Sequence, residues 1–78
     1  MSENEVRTLL ARVLNSKAPQ GWDVHYRFLG DAMDSLDQAA FVLDLQETKG
    51  IIVPDEDLDR LDTIANVLAY TSTHARLA

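Results

Sequence analysis

Ser35 is the residue in this chain whose hydroxyl stands where it could do chemistry. It lies in the run Gly30-Asp31-Ala32-Met33-Asp34-Ser35-Leu36-Asp37, followed by the apolar-rich stretch Ala39 to Leu45. Asp34 suits the N-cap of a helix, its carboxylate accepting backbone N–H groups of the first turn. Asp37, three residues on, suits the reciprocal bond of a capping box. Ser35 would then open the helix with its hydroxyl turned outward. A phosphate attached there would face free backbone N–H groups and the positive end of the helix dipole.

Other chemistries find no support. Ser35 has no His–Asp partnership in the sequence that would make it a hydrolytic nucleophile, and no glycine-rich phosphate loop is present. Asp31, Asp34 and Asp37, or Asp55, Asp57 and Asp59, lack the glycine and closing glutamate of a calcium loop, so no metal site is expected. His25 and His74 are isolated in the sequence and read as solvated or capping residues. The chain has no cysteine, so it offers neither a disulfide framework nor a thiolate.

The elements that must position Ser35 follow from periodicity. Ser2-Glu3-Asn4-Glu5 fits a capping box. Val6, Leu9, Leu10, Val13 and Leu14 then recur at helical spacing, giving one buried stripe, and Asn15 to Gly21, with Pro19 and Gly21, ends that helix. Residues 17 to 34 form a long connection without clear period, anchored by Trp22, Val24, Phe28 and Leu29. A loop of that length in so small a chain is expected to have a task, here to span the bundle and present Ser35.

The second helix, residues 35 to 48, carries two apolar faces at about 100° per residue. Phe41, Val42 and Leu45 make one. Leu36, Ala39, Ala40 and Leu43 lie almost opposite, flanked by Asp37, Asp44 and Glu47. The first face suits a core and the second an exposed interaction patch edged with acids. Lys49 and Gly50 close the helix. Ile51, Ile52 and Val53 read as an extended segment feeding side chains inward before Pro54. Asp55 to Arg60 fits a helix of one or two turns, with Leu58 and Leu61 facing inward. Asp62 or Thr63 would cap a last helix with the stripe Ile64, Val67 and Leu68, Tyr70 and Thr71 near its end, and a polar tail, Ser72 to Arg76, that frays. The expected fold is all-α: a small bundle of three main helices plus one short helix, with a long loop between helices one and two, in a single domain over residues 1–78.

Charge is unevenly placed. Ten of the thirteen acids lie between residues 31 and 62 against only Lys49 and Arg60, so that segment carries a formal −8 and the remainder +2. Such a surface repels nucleic acid and anionic lipid and attracts basic protein patches. No apolar run is long enough to cross a bilayer. The acidic start, with Glu3 and Glu5, lacks the order of a signal peptide, so a cytoplasmic location is expected.

These features together resemble the acyl carrier protein family, whose Asp-Ser-Leu serine carries a 4'-phosphopantetheine arm. The resemblance rests on Asp34-Ser35-Leu36-Asp37, on Ile52-Val53-Pro54-Asp55-Glu56 and on Leu61-Asp62-Thr63-Ile64, and it covers nearly the whole chain. It implies that Ser35 is the attachment site, with Asp34 orienting the transfer chemistry. It implies that Phe41, Val42, Leu45, Val53, Leu61 and Leu68 line the space that takes an acyl chain. Leu36, Asp37, Ala39, Leu43 and Glu47 would meet partner enzymes, with Asp55 and Glu56 of the short helix. The implied partners are a phosphopantetheinyl transferase and acyl-processing enzymes with basic docking patches, met by a monomer that is itself a shuttle and no enzyme.

Departures from the family pattern point to a carrier dedicated to one fatty acid, lipid or polyketide pathway. Ala40 stands where a recognition glutamate is usual, and Gln46 replaces another acid. Lys49 takes the place of an apolar residue, Asp31 that of a core leucine, and Ala32 and Met33 alter the small motif before Asp-Ser. An aminoacyl or peptidyl carrier and an unmodified acidic helical adaptor are the alternative readings.

Overall fold

The computed structural model describes residues 1–74, with only the backbone of His74. Helix α1 spans Glu3–Leu14 and starts from the expected capping box: Glu5 N–H donates to Ser2 Oγ at 3.2 Å, and Ser2 N–H to Glu5 Oε1 at 3.1 Å. Val6, Leu9 and Leu10 are buried, and Val13 and Leu14 pack at the rim of the core. Asn15 ends the helix at φ 51°, a left-handed conformation that asparagine tolerates.

The connection to α2 is held by particular anchors. Arg7 reaches from α1 and donates at 2.7 Å to the carbonyls of both Pro19 and Trp22. Its other nitrogens pair with Glu3 at 2.9 and 3.0 Å, so the part-buried guanidinium is satisfied. The Pro19 carbonyl belongs to a turn of 3-10 helix, η1, over Ala18–Gly21, which the sequence reading missed. Further on, Phe28 is fully buried, while Trp22, Val24 and Leu29 pack against the core from partly exposed positions. Met33, treated above only as a departure from a motif, is a core residue at 3 % exposure. Asp31 stays exposed and accepts the Tyr26 hydroxyl.

Helix α2, Ser35–Lys49, buries Phe41, Val42 and Leu45 and ends at Gly50, whose φ of 65° disfavours any side chain. It lies antiparallel to α1, joined to it by Lys49–Glu5 at 3.1 Å and Arg12–Asp44 at 3.5 Å. The segment after it corrects one expectation. Ile51 and Val53 are buried, but Ile52 between them is 72 % exposed. An extended backbone sends successive side chains to opposite sides, so three consecutive residues cannot all face inward.

The short helix η2, Asp55–Arg60, is of the 3-10 type and contains no fully buried residue; Leu58 is partly buried and Leu61, just after it, is buried. Helix α3, Ile64–His74, is capped by Thr63, whose Oγ1 accepts Asn66 N–H at 3.0 Å. Its buried face runs through Ile64, Val67, Tyr70 and Thr71, with Leu68 only partly buried beside it. Ser72 and Thr73 continue this helix instead of belonging to a tail. The rest of the expected tail, Ala75 and Arg76, lies outside the described residues. Fold and expectation agree: the described chain is all helix and loop.

Candidate functional site

Asp34 has the extended backbone of an N-cap, and its Oδ1 accepts Asp37 N–H at 2.9 Å, while its carbonyl takes Gln38 N–H at 2.9 Å. The return bond from the Asp37 side chain is not made. Aspartate is one methylene shorter than the glutamate or glutamine that closes such a box. Ser35 is the first residue of α2 and is exposed. The N–H groups of Ser35 and Leu36 find no acceptor among the described residues. A phosphodiester on the Ser35 oxygen would therefore meet two unengaged donors at the positive end of a helix of fifteen residues. The residues present fit such a group.

The turn before Ser35 is held from within. The Phe28 carbonyl accepts N–H bonds from Asp31, Ala32 and Met33 at 3.1, 2.9 and 3.1 Å, and Gly30 N–H donates to the Met33 carbonyl at 2.9 Å. Gly30 sits at φ 87°, which a side chain would strain. Buried Met33 then pins the backbone immediately before Asp34. The serine thus projects from a braced turn into a capped helix.

Beyond Ser35 the exposed face of α2 carries Leu36 and Leu43, at 80 % and 58 % exposure, with Ala39, Ala40 and Glu47 also exposed. Asp37 is half-buried at one edge. Asp55 and Glu56 are exposed on η2. That helix is tied to the first turns of α2 by Gln38, whose Nε2 donates to the Leu58 carbonyl at 3.1 Å. Gln46 fixes the extended segment, its Oε1 accepting Val53 N–H at 2.8 Å. Neither glutamine was singled out for this role, because a polar residue at the flank of a helix leaves no mark in hydrophobic periodicity. Its partner, a backbone group, leaves none at all.

Of the six residues assigned to an acyl-chain space, Phe41, Val42, Leu45, Val53 and Leu61 are buried together in the core. Leu68 packs against that cluster from a partly exposed position. The interior is filled, so a chain entering it must part these side chains. Two surface clefts lie elsewhere. One is lined by Asp59, Arg60, Asp62, Asn66, Ala69, Tyr70 and Thr73, and the other by Thr8, Ala11, Arg12, Asn15, Ser16 and Lys17.

Electrostatics bear on how η2 and the loop are held. Tyr70 donates to Asp57 at 2.8 Å, with the Arg60 guanidinium 5.6 Å from its ring centre. Burial, then the Asp57 carboxylate, pushes the Tyr70 phenol up to about 12. Asp62 accepts Arg27 Nε at 3.1 Å and Asn66 Nδ2 at 2.7 Å. Burial alone would raise its carboxyl, but these hydrogen bonds outweigh it and hold the group below its ordinary 3.8. No cluster of candidate metal ligands exists among the described residues, and none of their helices is long and apolar enough to cross a membrane.

A braced turn, a capped helix start with an exposed serine, and an apolar ridge alongside make up the site. A family profile described as "Phosphopantetheine attachment site" matches residues 4–71, and the chain belongs to that family, whose covalently held group is 4'-phosphopantetheine. The chain is similar to the acyl carrier protein of Lactobacillus johnsonii, 37 % identical over 41 residues. That match covers 53 % of this chain and spans only 51 % of the relative. It is also similar to the acyl carrier protein of Renibacterium salmoninarum, 26 % identical over 76 residues, covering 92 % and 94 % of the two chains.

Proposed function

We propose that residues 1–78 form one carrier domain. In this reading Ser35 holds the 4'-phosphopantetheine arm, and the protein presents an acyl intermediate to partner enzymes without itself catalysing a reaction. The arm supplies a thiol on which the acyl group rides as a thioester. The observation that carries this reading is the exposed Ser35 hydroxyl beside the unengaged N–H groups of Ser35 and Leu36. Asp34 keeps the helix start in place and lends its charge to the transfer step. Partner enzymes meet Leu36, Asp37, Ala39, Leu43 and Glu47 on α2, and Asp55 and Glu56 on η2. The core around Phe41, Val42, Leu45, Val53, Leu61 and Leu68 shelters the acyl chain. The departures at Ala40 and Lys49 support service in one dedicated fatty acid, lipid or polyketide pathway. The formal −8 of residues 31–62 favours basic patches on its partners.

The test is attachment. With coenzyme A, magnesium and a broad-specificity phosphopantetheinyl transferase, the protein gains the mass of one arm, and Ser35→Ala gains none. A wild type that stays unmodified with several transferases would instead support an unmodified acidic adaptor. Modification of Ser35→Ala would move the site to another residue.

A further inference from the structure

The turn before Ser35 hangs from a single residue that is itself tied to a distant part of the chain. The Phe28 carbonyl accepts the N–H groups of Asp31, Ala32 and Met33, and the Phe28 N–H donates to the Asp62 carbonyl at 3.1 Å. Asp62 precedes α3 and lies twenty-seven positions after Ser35. Its carboxylate holds the neighbour of Phe28 as well, Oδ2 accepting Arg27 Nε at 3.1 Å. The other oxygen accepts Asn66 Nδ2, from the first turn of α3, at 2.7 Å. A further backbone bond, from Ala65 N–H to the Val24 carbonyl at 2.9 Å, fastens the loop to the same helix start.

Two consecutive residues, Arg27 and Phe28, are thus gripped by one residue, the first by its side chain and the second by its main chain. One attachment fixes a distance; two fix an orientation. The Phe28 backbone is therefore oriented by the start of α3, and the Asp31–Met33 turn is oriented by Phe28. Met33 leads directly into Asp34 and Ser35.

We propose that Asp62 is a positioning residue for Ser35: by holding Arg27 and Phe28 it sets the turn from which the serine is offered to the transferase. In that reaction the Ser35 oxygen displaces adenosine 3',5'-bisphosphate from coenzyme A. One P–O bond forms as the diphosphate P–O bond breaks, and the hydroxyl proton passes to a base of the transferase. Such a displacement needs the attacking oxygen in line with the bond that breaks, so its rate depends on where the serine is held. The inference rests on the proposed function and adds to it a residue outside α2 and the turn.

Two measurements on the full chain test it: amide exchange, and arm transfer with kcat and KM resolved. In Arg27→Ala and Asp62→Ala, exchange at Asp31, Ala32 and Met33 quickens by about two- to fivefold more than at Leu9 and Leu10, whose amides report opening of the whole fold. In the same variants kcat falls severalfold, about a hundredfold being the limit for a misplaced reacting atom, while KM stays within about twofold because the exposed face of α2 is untouched. Asp62→Asn keeps a side-chain oxygen for Arg27 and retains most of the wild-type kcat. Arg27→Ala and Asp62→Ala combined are no slower than the slower single variant, as one shared contact requires. Arg27 is 66 % exposed, so Arg27→Ala carries both measurements should Asp62→Ala not fold. Exchange at the turn that rises no more than at Leu9 and Leu10 overturns the inference. So does an unchanged kcat, a loss confined to KM, or losses that add in the double variant. A wild type that takes no arm removes the proposed function and this inference together; a wild type that takes it, with variants that match its kcat, removes only the inference.

Discussion

Asp34 and Ser35 show how two neighbours divide one task. The aspartate spends its carboxylate on the Asp37 N–H and so leaves the N–H groups of Ser35 and Leu36 unengaged. Two substitutions separate its structural role from its charge. Asp34→Ala removes the cap and should lower stability by about 1 kcal/mol, read from urea unfolding. Asp34→Asn keeps a side-chain oxygen for the cap, so its unfolding midpoint should stay close to that of the wild type. If the charge serves arm transfer, Asp34→Asn nonetheless slows that reaction severalfold. Equal transfer rates for Asn and Asp would reduce Asp34 to a cap alone. The serine and its cap were legible in the sequence because capping is local, fixed by residue types three positions apart. The Asp37 half of the box misled, since the pattern names a carboxylate and ignores its reach.

At the scale of elements, the three main helices were legible for a related reason. Each writes a periodic stripe, and Val6-Leu9-Leu10, Phe41-Val42-Leu45 and Ile64-Val67 are all buried. The joints between elements were not legible, because each pairs a polar side chain with a backbone group or a distant charge. Arg7 on the Pro19 and Trp22 carbonyls, Gln46 on Val53 and Gln38 on Leu58 are of this kind. Asp62 is another, joining the long loop to the start of α3 through Arg27 and Asn66. Its consequence is a stability that depends on acid. The Asp62 carboxyl is held below its ordinary 3.8 in the folded protein. The ionised form therefore favours the fold, a contribution present above 3.8 and lost as pH falls through the lower, folded value. Unfolding midpoints of wild type and Asp62→Asn should thus converge as pH drops below that value, the wild type being the more stable at neutrality. Parallel curves across the acid range would show that this joint contributes nothing through its charge.

Across the whole molecule, charge is divided unevenly along the chain, the segment 31–62 carrying a formal −8 and the rest +2. Part of that charge is already engaged, Asp44 by Arg12 and Asp62 by Arg27. The acids left along the α2 ridge are Asp37 and Glu47, and the proposed docking face gives them the steering of a basic partner. Asp37→Asn and Asn4→Lys change the net charge equally, one beside Ser35 and the other on α1. Only Asp37→Asn should slow arm transfer, through association, with the difference shrinking as salt is raised. Equal slowing by both would mean that total charge is felt and no docking face exists. The stacked rings carry a different kind of consequence. Trp22 is the single tryptophan of the chain, and it lies on Phe28 with Tyr26 at 5.0 Å on its flank. Its indole is therefore an optical probe set against the core, beside a ring whose backbone holds the turn before Ser35. Light absorbed at the red edge, where tyrosine is dark, reports on that one position, and repacking of Phe28 changes the colour and lifetime of what it emits.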